Sequence, residues 1–230
     1  MENEALMKTV KLAGSIFFDF DGPICEVFAG LPASEVAKNL ADAMRRFDPI
    51  LSERMQGMDF VDALRVSPEG GEGALKAIEE TLISAEIAAV KVAGEPTPGA
   101  VASLQAARSS GRNVAIVSNN SAECVREFLN LHELTSLVHE VVGRPPHEPH
   151  RMKPAPDSVL VAAARFGARP QSCTLVGDSV TDVVAAIAAG STSIGYANRA
   201  GKEKALTRAG ADAVIDSMAI LAEALARFSA

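Results

Sequence analysis

Much of this sequence alternates short apolar runs with longer amphipathic ones. The short runs are rich in Val and Ile and predict strands, whereas the longer runs have the residue spacing of helices. Strands that alternate with helices form parallel sheets whose two faces are covered by helices. The sequence therefore predicts an α/β fold built on a three-layer, Rossmann-like parallel sheet. The predicted strands cover residues 14–18, 113–117, 138–142, 173–176, 192–196 and 213–215.

A long helical stretch separates the first predicted strand from the second. Residues 94–99, Gly-Glu-Pro-Thr-Pro-Gly, are typical of a linker, and they predict a helix with Thr97 as N-cap and Pro98 as its first residue. We therefore expect a core domain made of residues 1–22 and 95–230, with a helical cap domain inserted at residues 23–94. The predicted helices are 34–47, 51–65 and 73–92 in the cap, then 122–131, 157–166, 180–189, a short one near 203, and 218–228.

Composition and charge exclude several classes of protein. The 230 residues carry a formal net charge of −7, whereas nucleic-acid-binding proteins normally present a basic face. The start, Met1-Glu2-Asn3-Glu4, lacks the basic and apolar regions of a signal peptide, and no apolar run is long enough to span a membrane. We expect a cytoplasmic enzyme that binds neither nucleic acid nor membranes. Composition leaves the oligomeric state open.

Two aspartates follow the first predicted strand. Asp19 and Asp21 come directly after the apolar run 16–18, and Gly22 lets the backbone turn behind them. Side chains at positions i and i+2 of a strand point the same way, so both carboxylates are expected to face one spot. Like charges this close repel unless a cation, a shared proton or a chemical task compensates. The pair predicts a metal site, an acid/base pair, or both.

Further polar residues follow the later strands. Ser118 and Asn119 come after the second strand, Lys153 after the third, and Asp178 after the fourth, with Asp182 four residues later. Ligand sites in open parallel sheets lie at the carboxyl ends of the strands. We therefore expect these side chains to gather at the same edge as the two aspartates.

This set of side chains suits phosphoryl transfer. Several carboxylates suit Mg²⁺, and a lysine with hydroxyl and amide donors suits a phosphoryl group. One aspartate can attack phosphorus to form an aspartyl-phosphate. A second can protonate the leaving oxygen and then deprotonate the water that resolves the intermediate. Asp19 and Asp21 fit these two roles.

Two members of the set also have purely structural explanations. Ser118 precedes a predicted helix and is a candidate N-cap, as are Asn120 and Ser121. Asp182 lies in the first turn of a predicted helix, where the helix dipole favours an acid. Neither explanation conflicts with a role in the site, because a helix N-terminus also binds anions.

The order of these motifs resembles the haloacid dehalogenase superfamily of hydrolases and phosphotransferases. The resemblance covers about residues 14 to 216, and the helical insert is similar to the cap of the phosphoglycolate-phosphatase and β-phosphoglucomutase branch. It rests on four motifs, which are Asp19-Phe20-Asp21-Gly22, Ile116-Val117-Ser118-Asn119, Met152-Lys153-Pro154, and Gly177-Asp178-Ser179 through Asp182.

This resemblance implies a role for each residue at the phosphoryl group. Asp19 would be the nucleophile and Asp21 the general acid/base. Ser118, Lys153 and the backbone N–H of Asn119 would hold the phosphoryl oxygens.

The same resemblance implies a magnesium site and a closing cap. Asp19, the carbonyl of Asp21 and Asp178 would hold Mg²⁺, and Asp182 would support these ligands from behind. The cap would close over the site and exclude water, and residues 54–59 are similar to the family's substrate-specificity loop.

Three positions bear on which reaction to expect. Pro23 stands where the family usually has Thr or Val. Asp21 argues against dehalogenation and against phosphonate cleavage, and Leu31 replaces a histidine typical of the mutases. We therefore expect a Mg²⁺-dependent phosphoric monoester hydrolase for a small phosphorylated metabolite. The alternatives are a phosphomutase with intramolecular phosphoryl transfer and a non-catalytic binding protein.

Overall fold

The fold is a parallel six-stranded sheet covered by helices on both faces. A computed structural model describes residues 2–228. The strand order is β3-β2-β1-β4-β5-β6, and the central strand β1 pairs Phe17 with Ala115 of β2 and Leu175 of β4. This confirms the predicted α/β class. The strands are β1 (Ser15–Phe18), β2 (Asn113–Val117), β3 (Glu140–Val142), β4 (Cys173–Gly177), β5 (Thr192–Tyr196) and β6 (Ala213–Ile215).

Eleven α-helices are found in residues 2–228. Four of them lie between β1 and the linker, where the periodicity predicts three, and the others alternate with the strands. They are α1 (Glu2–Leu12), α2 (Ala33–Met44), α3 (Pro49–Met55), α4 (Phe60–Val66), α5 (Glu72–Val90), α6 (Ala100–Ser109), α7 (Ala122–Leu131), α8 (Asp157–Arg165), α9 (Val180–Ala189), α10 (Lys202–Ala209) and α11 (Met218–Ala226).

The helices depart from the sequence prediction in three places. The predicted helix 51–65 is two helices, because the chain breaks at Gly57, which has a φ of 80°, and Asp59 caps α4. Helix α1 was not predicted; it packs its buried Leu6 and Val10 into the core. Thr97 is not an N-cap: α6 begins at Ala100, and the Thr97 hydroxyl instead donates to the Gly22 carbonyl at 2.7 Å.

Alternation along β1 divides the core into two layers. Ile16 and Phe18 pack with buried residues of α1, α6, α7 and α11, whereas Phe17 faces α8 and α9. A third apolar cluster lies within α2–α5 and includes Leu40, Met44 and Ile78. The cap domain at residues 23–94 stays a prediction, because Ile24, Val27 and Val90 of this range pack with the cluster around the sheet. No helix in the described part of the chain is long and apolar enough to cross a membrane.

Candidate active site

The strand ends bring the predicted residues together. The N–H of Asp19 donates to the carbonyl of Val176 at 2.8 Å, which extends the pairing of β1 with β4 by one residue. The N–H of Ser118 donates to the carbonyl of Val142 at 2.9 Å, which does the same for β2 and β3. The first residue after β1 and the first after β2 are therefore fixed at the same edge of the sheet.

Lys153 is the cationic centre of the site. Its buried Nζ lies 2.7 Å from Oδ1 of Asp19 and 2.6 Å from Oδ1 of Asp182, and it donates to the carbonyl of Val117 at 3.1 Å. Burial alone would lower the pKa of Lys153, but the two carboxylates outweigh it and raise the pKa to about 12. The ammonium therefore stays charged and joins β1, β2 and α9 at one point.

Three carboxylates gather around this point. Oxygen atoms of Asp19, Asp178 and Asp182 all lie within 4.8 Å of one another. Burial and the neighbouring Asp182 together raise the pKa of Asp19 to about 8, although Lys153 opposes the rise. Three carboxylates beside one buried ammonium leave a surplus of negative charge among oxygen donors. This donor set fits Mg²⁺.

Asp21 is placed differently from Asp19. Its Oδ1 accepts from the N–H of Val27 at 3.0 Å, and its carboxylate is not one of the three that cluster. Burial raises the pKa of Asp21 to about 6, although the N–H of Val27 opposes the rise. The two aspartates therefore do not share one environment, and the predicted part of Asp21 in a metal site rests on its carbonyl alone.

Two glycines make room for these carboxylates. Gly22 has a φ of 100°, and a Cβ there would lie 2.5 Å from the carboxyl carbon of Asp178. A Cβ at Gly177 would lie 2.3 Å from the carboxyl carbon of Asp182. Both glycines of the sequence motifs are therefore required by the close approach of an acid.

Pro23 lies in a buried turn that follows these residues. The N–H groups of Ile24 and Cys25 donate to the carbonyl of Phe20 at 3.1 and 3.0 Å, and Gly22 donates to Cys25 at 2.7 Å. A proline at position 23 leaves no N–H to satisfy in this buried turn. The unusual residue is therefore compatible with the geometry of the site.

Ser118 and Asn119 hold the loop after β2. The Ser118 hydroxyl donates to Oδ1 of Asn120 and accepts from the N–H of Asn120, both at 3.1 Å. The Asn119 side chain accepts from the Lys153 N–H at 2.8 Å and donates to the Lys153 carbonyl at 3.0 Å. The N-cap of α7 is Ser121, not Ser118. The side chain of Asn119 thus positions Lys153.

Asp182 has two functions in the structure. Its Oδ2 forms a capping box with Ser179 at the start of α9, and its Oδ1 meets Lys153. The two explanations considered from the sequence, a first-turn acid and a support for the site, therefore hold together.

Comparison with known proteins identifies the family. The family model for haloacid dehalogenase-like hydrolases matches residues 15–190. The chain belongs to this family. A phosphoglycolate phosphatase of Xylella fastidiosa is 27% identical over 184 residues, which cover 78% of each chain. One of Salmonella choleraesuis is 30% identical over 128 residues, which cover 56% of this chain. The chain spans about half the length of this second relative, because the match covers 50% of it.

A solved structure agrees with these matches. A haloacid dehalogenase family hydrolase from Deinococcus radiodurans, solved with bound phosphate and sodium, has a TM-score of 0.61 and 25% sequence identity. The similarity covers 94% of this chain and 96% of that one. The shared architecture thus extends over nearly the whole of both chains.

Two residues of this haloacid dehalogenase-like protein were missed by the sequence analysis. Lys202, the first residue of α10, contacts Oδ2 of Asp178, and Asn198 donates to the same oxygen at 3.1 Å. Asn198 stands two residues beyond β5, at the carboxyl end of a parallel strand. Because ligand sites lie at these ends, its position in the sequence could have indicated it. Lys202 lies further along and carries no motif.

The cap reaches the site through Arg65. Its Nη2 donates to the Lys153 carbonyl at 2.9 Å, and Met152, the residue before that lysine, packs into the apolar cluster of the cap. Arg54, in the predicted substrate-specificity loop, instead pairs with Glu69 at 2.6 Å on the surface. Of these two arginines, Arg65 is therefore the one held against the backbone of Lys153.

Proposed function

We propose that this protein is a Mg²⁺-dependent phosphatase that hydrolyses a small phosphorylated metabolite through an aspartyl-phosphate at Asp19. The observation that carries the proposal is the buried cluster in which Lys153 lies 2.7 Å from Asp19 while Asp178 and Asp182 stand beside it. A structural core rarely buries so many charges, because each must be paired at a high desolvation cost.

Four side chains of the site suit the steps of this reaction. The Asp19 carboxylate attacks phosphorus, and the bond from phosphorus to the leaving oxygen breaks as Asp21 gives that oxygen a proton. Asp21 then takes a proton from the water that attacks the same phosphorus, which releases inorganic phosphate and restores Asp19. Lys153 and Ser118 hold the phosphoryl oxygens.

A cation would complete the charge balance of this site. Asp19, Asp178 and the carbonyl of Asp21 would hold Mg²⁺, with Asp182 behind them, and the ion would neutralise charge on the phosphoryl oxygens. The raised pKa of Asp21, about 6, suits a group that alternately gives and takes a proton near neutral pH.

The relatives support a phosphate monoester as the substrate. Two are named phosphoglycolate phosphatase, and the Deinococcus radiodurans relative was solved with phosphate and sodium. A phosphorylated small acid is therefore the first substrate to test. A cap over the site favours a small molecule over a phosphoprotein.

A panel assay tests this function. Purified protein should release phosphate from at least one member of a panel of phosphoglycolate, sugar phosphates, nucleotides and amino-acid phosphates. Release should require Mg²⁺ and stop with EDTA. Absence of release from every compound with Mg²⁺ present would contradict the proposal. Conversion of a sugar phosphate to its isomer without release would instead establish the phosphomutase alternative.

Lys202 should weaken the binding of Mg²⁺. Its ammonium contacts the carboxylate of Asp178, and a second positive charge on that carboxylate is repelled. Replacing Lys202 by Met should tighten Mg²⁺ binding by about tenfold, measured without substrate from the rise in melting temperature with Mg²⁺ concentration. Lys204→Met, at an exposed position of the same helix, should not change it. Equal or weaker binding in the Lys202 variant would refute this prediction.

A further inference from the structure

A buried ion cluster lies behind the loop that carries Ser118, on the side of the loop that faces the cap. Its members are Glu79 and Glu86 from α5 of the cap and Arg144 from the segment after β3. All three are buried, and Glu86 is 0% exposed. The proposed chemistry uses none of them, so the cost of burying them requires another explanation.

Glu86 binds the loop at two points. Its Oε2 accepts from the N–H of Ser121 at 3.0 Å, and its Oε1 accepts from Nδ2 of Asn120 at 3.2 Å. A carboxylate can only accept hydrogen bonds, so the NH2 group of Asn120 must face Glu86 and its oxygen must face Ser118. Oδ1 of Asn120 then meets the Ser118 hydroxyl at 3.1 Å. An unbroken series of contacts therefore runs from Glu86 to Ser118.

Arg144 holds the same loop from a second direction. Its Nη1 lies 2.6 Å from Oε1 of Glu86 and donates to the carbonyl of Asn119 at 3.3 Å. Its backbone N–H donates to the carbonyl of Asn120 at 3.0 Å. The backbone of residues 119–121 is thus held by one acid and one guanidinium group from outside the catalytic motifs.

We infer that Glu86 is a positioning residue, which fixes Ser118 and the Asn119 backbone for binding the phosphoryl group. The inference rests on the proposed function, because it assigns a role to a group behind that site. Glu86 touches no reacting atom in this account. It acts through its contacts with Asn120 and Ser121. Because Glu86 lies on α5, phosphate binding depends on how this helix packs against the loop after β2.

Glu79 provides a matched control on the same helix. It lies two turns from Glu86, is also buried, and also faces Arg144, with Oε1 3.5 Å from Nε. Its other oxygen accepts from the N–H of His147 at 2.8 Å. These contacts involve none of residues 118–121, so loss of Glu79 perturbs the same ion cluster without the path to Ser118.

The test compares Glu86→Gln with Glu79→Gln. Glu86 accepts one hydrogen bond from this loop through each of its two oxygens, whereas glutamine has one oxygen and one NH2 group. The NH2 group would face a donor, so Glu86→Gln should lose the contact with either Ser121 or Asn120. We expect the inhibition constant for inorganic phosphate and the KM to rise about tenfold, with a smaller change in kcat. The phosphate-induced rise in melting temperature should shrink in parallel. Glu79→Gln should keep both constants within about twofold of wild type.

A triple variant separates positioning from stability. Glu79→Gln/Glu86→Gln/Arg144→Met removes the three buried charges together, so none of them is left unpaired and the melting temperature should be regained. Its inhibition constant for phosphate should stay at least about tenfold above wild type. Recovery of phosphate affinity together with stability would overturn the inference, as would equal constants in the two single variants. A wild-type protein that neither releases nor binds phosphate would overturn the proposed function instead.

Discussion

Replacing Asp19 by asparagine should reduce phosphate release by about 10⁴-fold or more. The amide keeps the shape of the side chain but is not a nucleophile for phosphorus, so the covalent step is lost. Initial rates with the best substrate of the panel, at saturating Mg²⁺, measure the effect. Asp42→Asn, on an exposed part of the cap helix α2, is the matched control and should keep full activity. Retention of more than about a hundredth of the activity would place the nucleophile elsewhere.

When divalent cations are absent, Asp19→Asn should not lower the free energy of unfolding. Burial holds the pKa of Asp19 above its value in the unfolded chain, so ionised Asp19 disfavours the folded state. Between about pH 4 and pH 8 the folded state binds the extra proton, and the contribution of Asp19 to stability falls as pH rises. Asp19→Asn should remove this decline. Urea unfolding at pH 5 and pH 8 in EDTA measures it, and a decline unchanged in the variant would contradict this explanation.

Replacing Lys153 by methionine should cost both activity and stability. The change leaves Asp19 and Asp182 buried without their shared ammonium, 2.7 and 2.6 Å away in the wild type. Removal of one partner from a buried ion pair costs about 3–5 kcal/mol, so the free energy of unfolding in EDTA should fall by this amount. Phosphate release should fall by at least about 10³-fold, because the phosphoryl group loses the ammonium of Lys153.

If Lys153→Met does not fold, adding Asp182→Asn to it provides a second test. The double variant Lys153→Met/Asp182→Asn carries one buried negative charge fewer, so it should regain part of the lost stability while staying inactive. Lys204→Met is the control at an exposed lysine. A loss of less than about 1 kcal/mol in Lys153→Met would show that the ammonium does not compensate the carboxylates.

The parts of this fold with strong periodicity could be predicted from the sequence. Strands β2, β5 and β6 begin and end where predicted, because buried parallel strands are short apolar runs with clear limits. Helix α1 was missed because its stability comes from packing Leu6 and Val10 onto the core, and this packing is visible only in the fold. The break at Gly57 was missed because an isolated glycine is tolerated in many helices.

The candidate site divides in the same way. Asp19, Ser118 and Asp178 could be located because the carboxyl ends of parallel strands meet at one edge. Glu86 could not, because α5 carries several glutamates, and only the fold shows that this one is buried against the loop after β2. Lys202 likewise could not be predicted, because it belongs to the site only through its contact with Asp178, which lies 24 residues earlier in the chain. Pairing across such distances has no signal in a single sequence.

Trapping the phosphorylated enzyme shows directly whether Asp19 forms an aspartyl-phosphate. Wild-type protein with Mg²⁺ is mixed with a ³²P-labelled substrate from the panel and quenched in acid within milliseconds, and the labelled peptide is identified by mass spectrometry. We expect a phosphate group on the carboxylate of Asp19, present in wild type and absent in Asp19→Asn. A labelled residue other than Asp19, or rapid turnover with no labelled peptide at any time point, would contradict it.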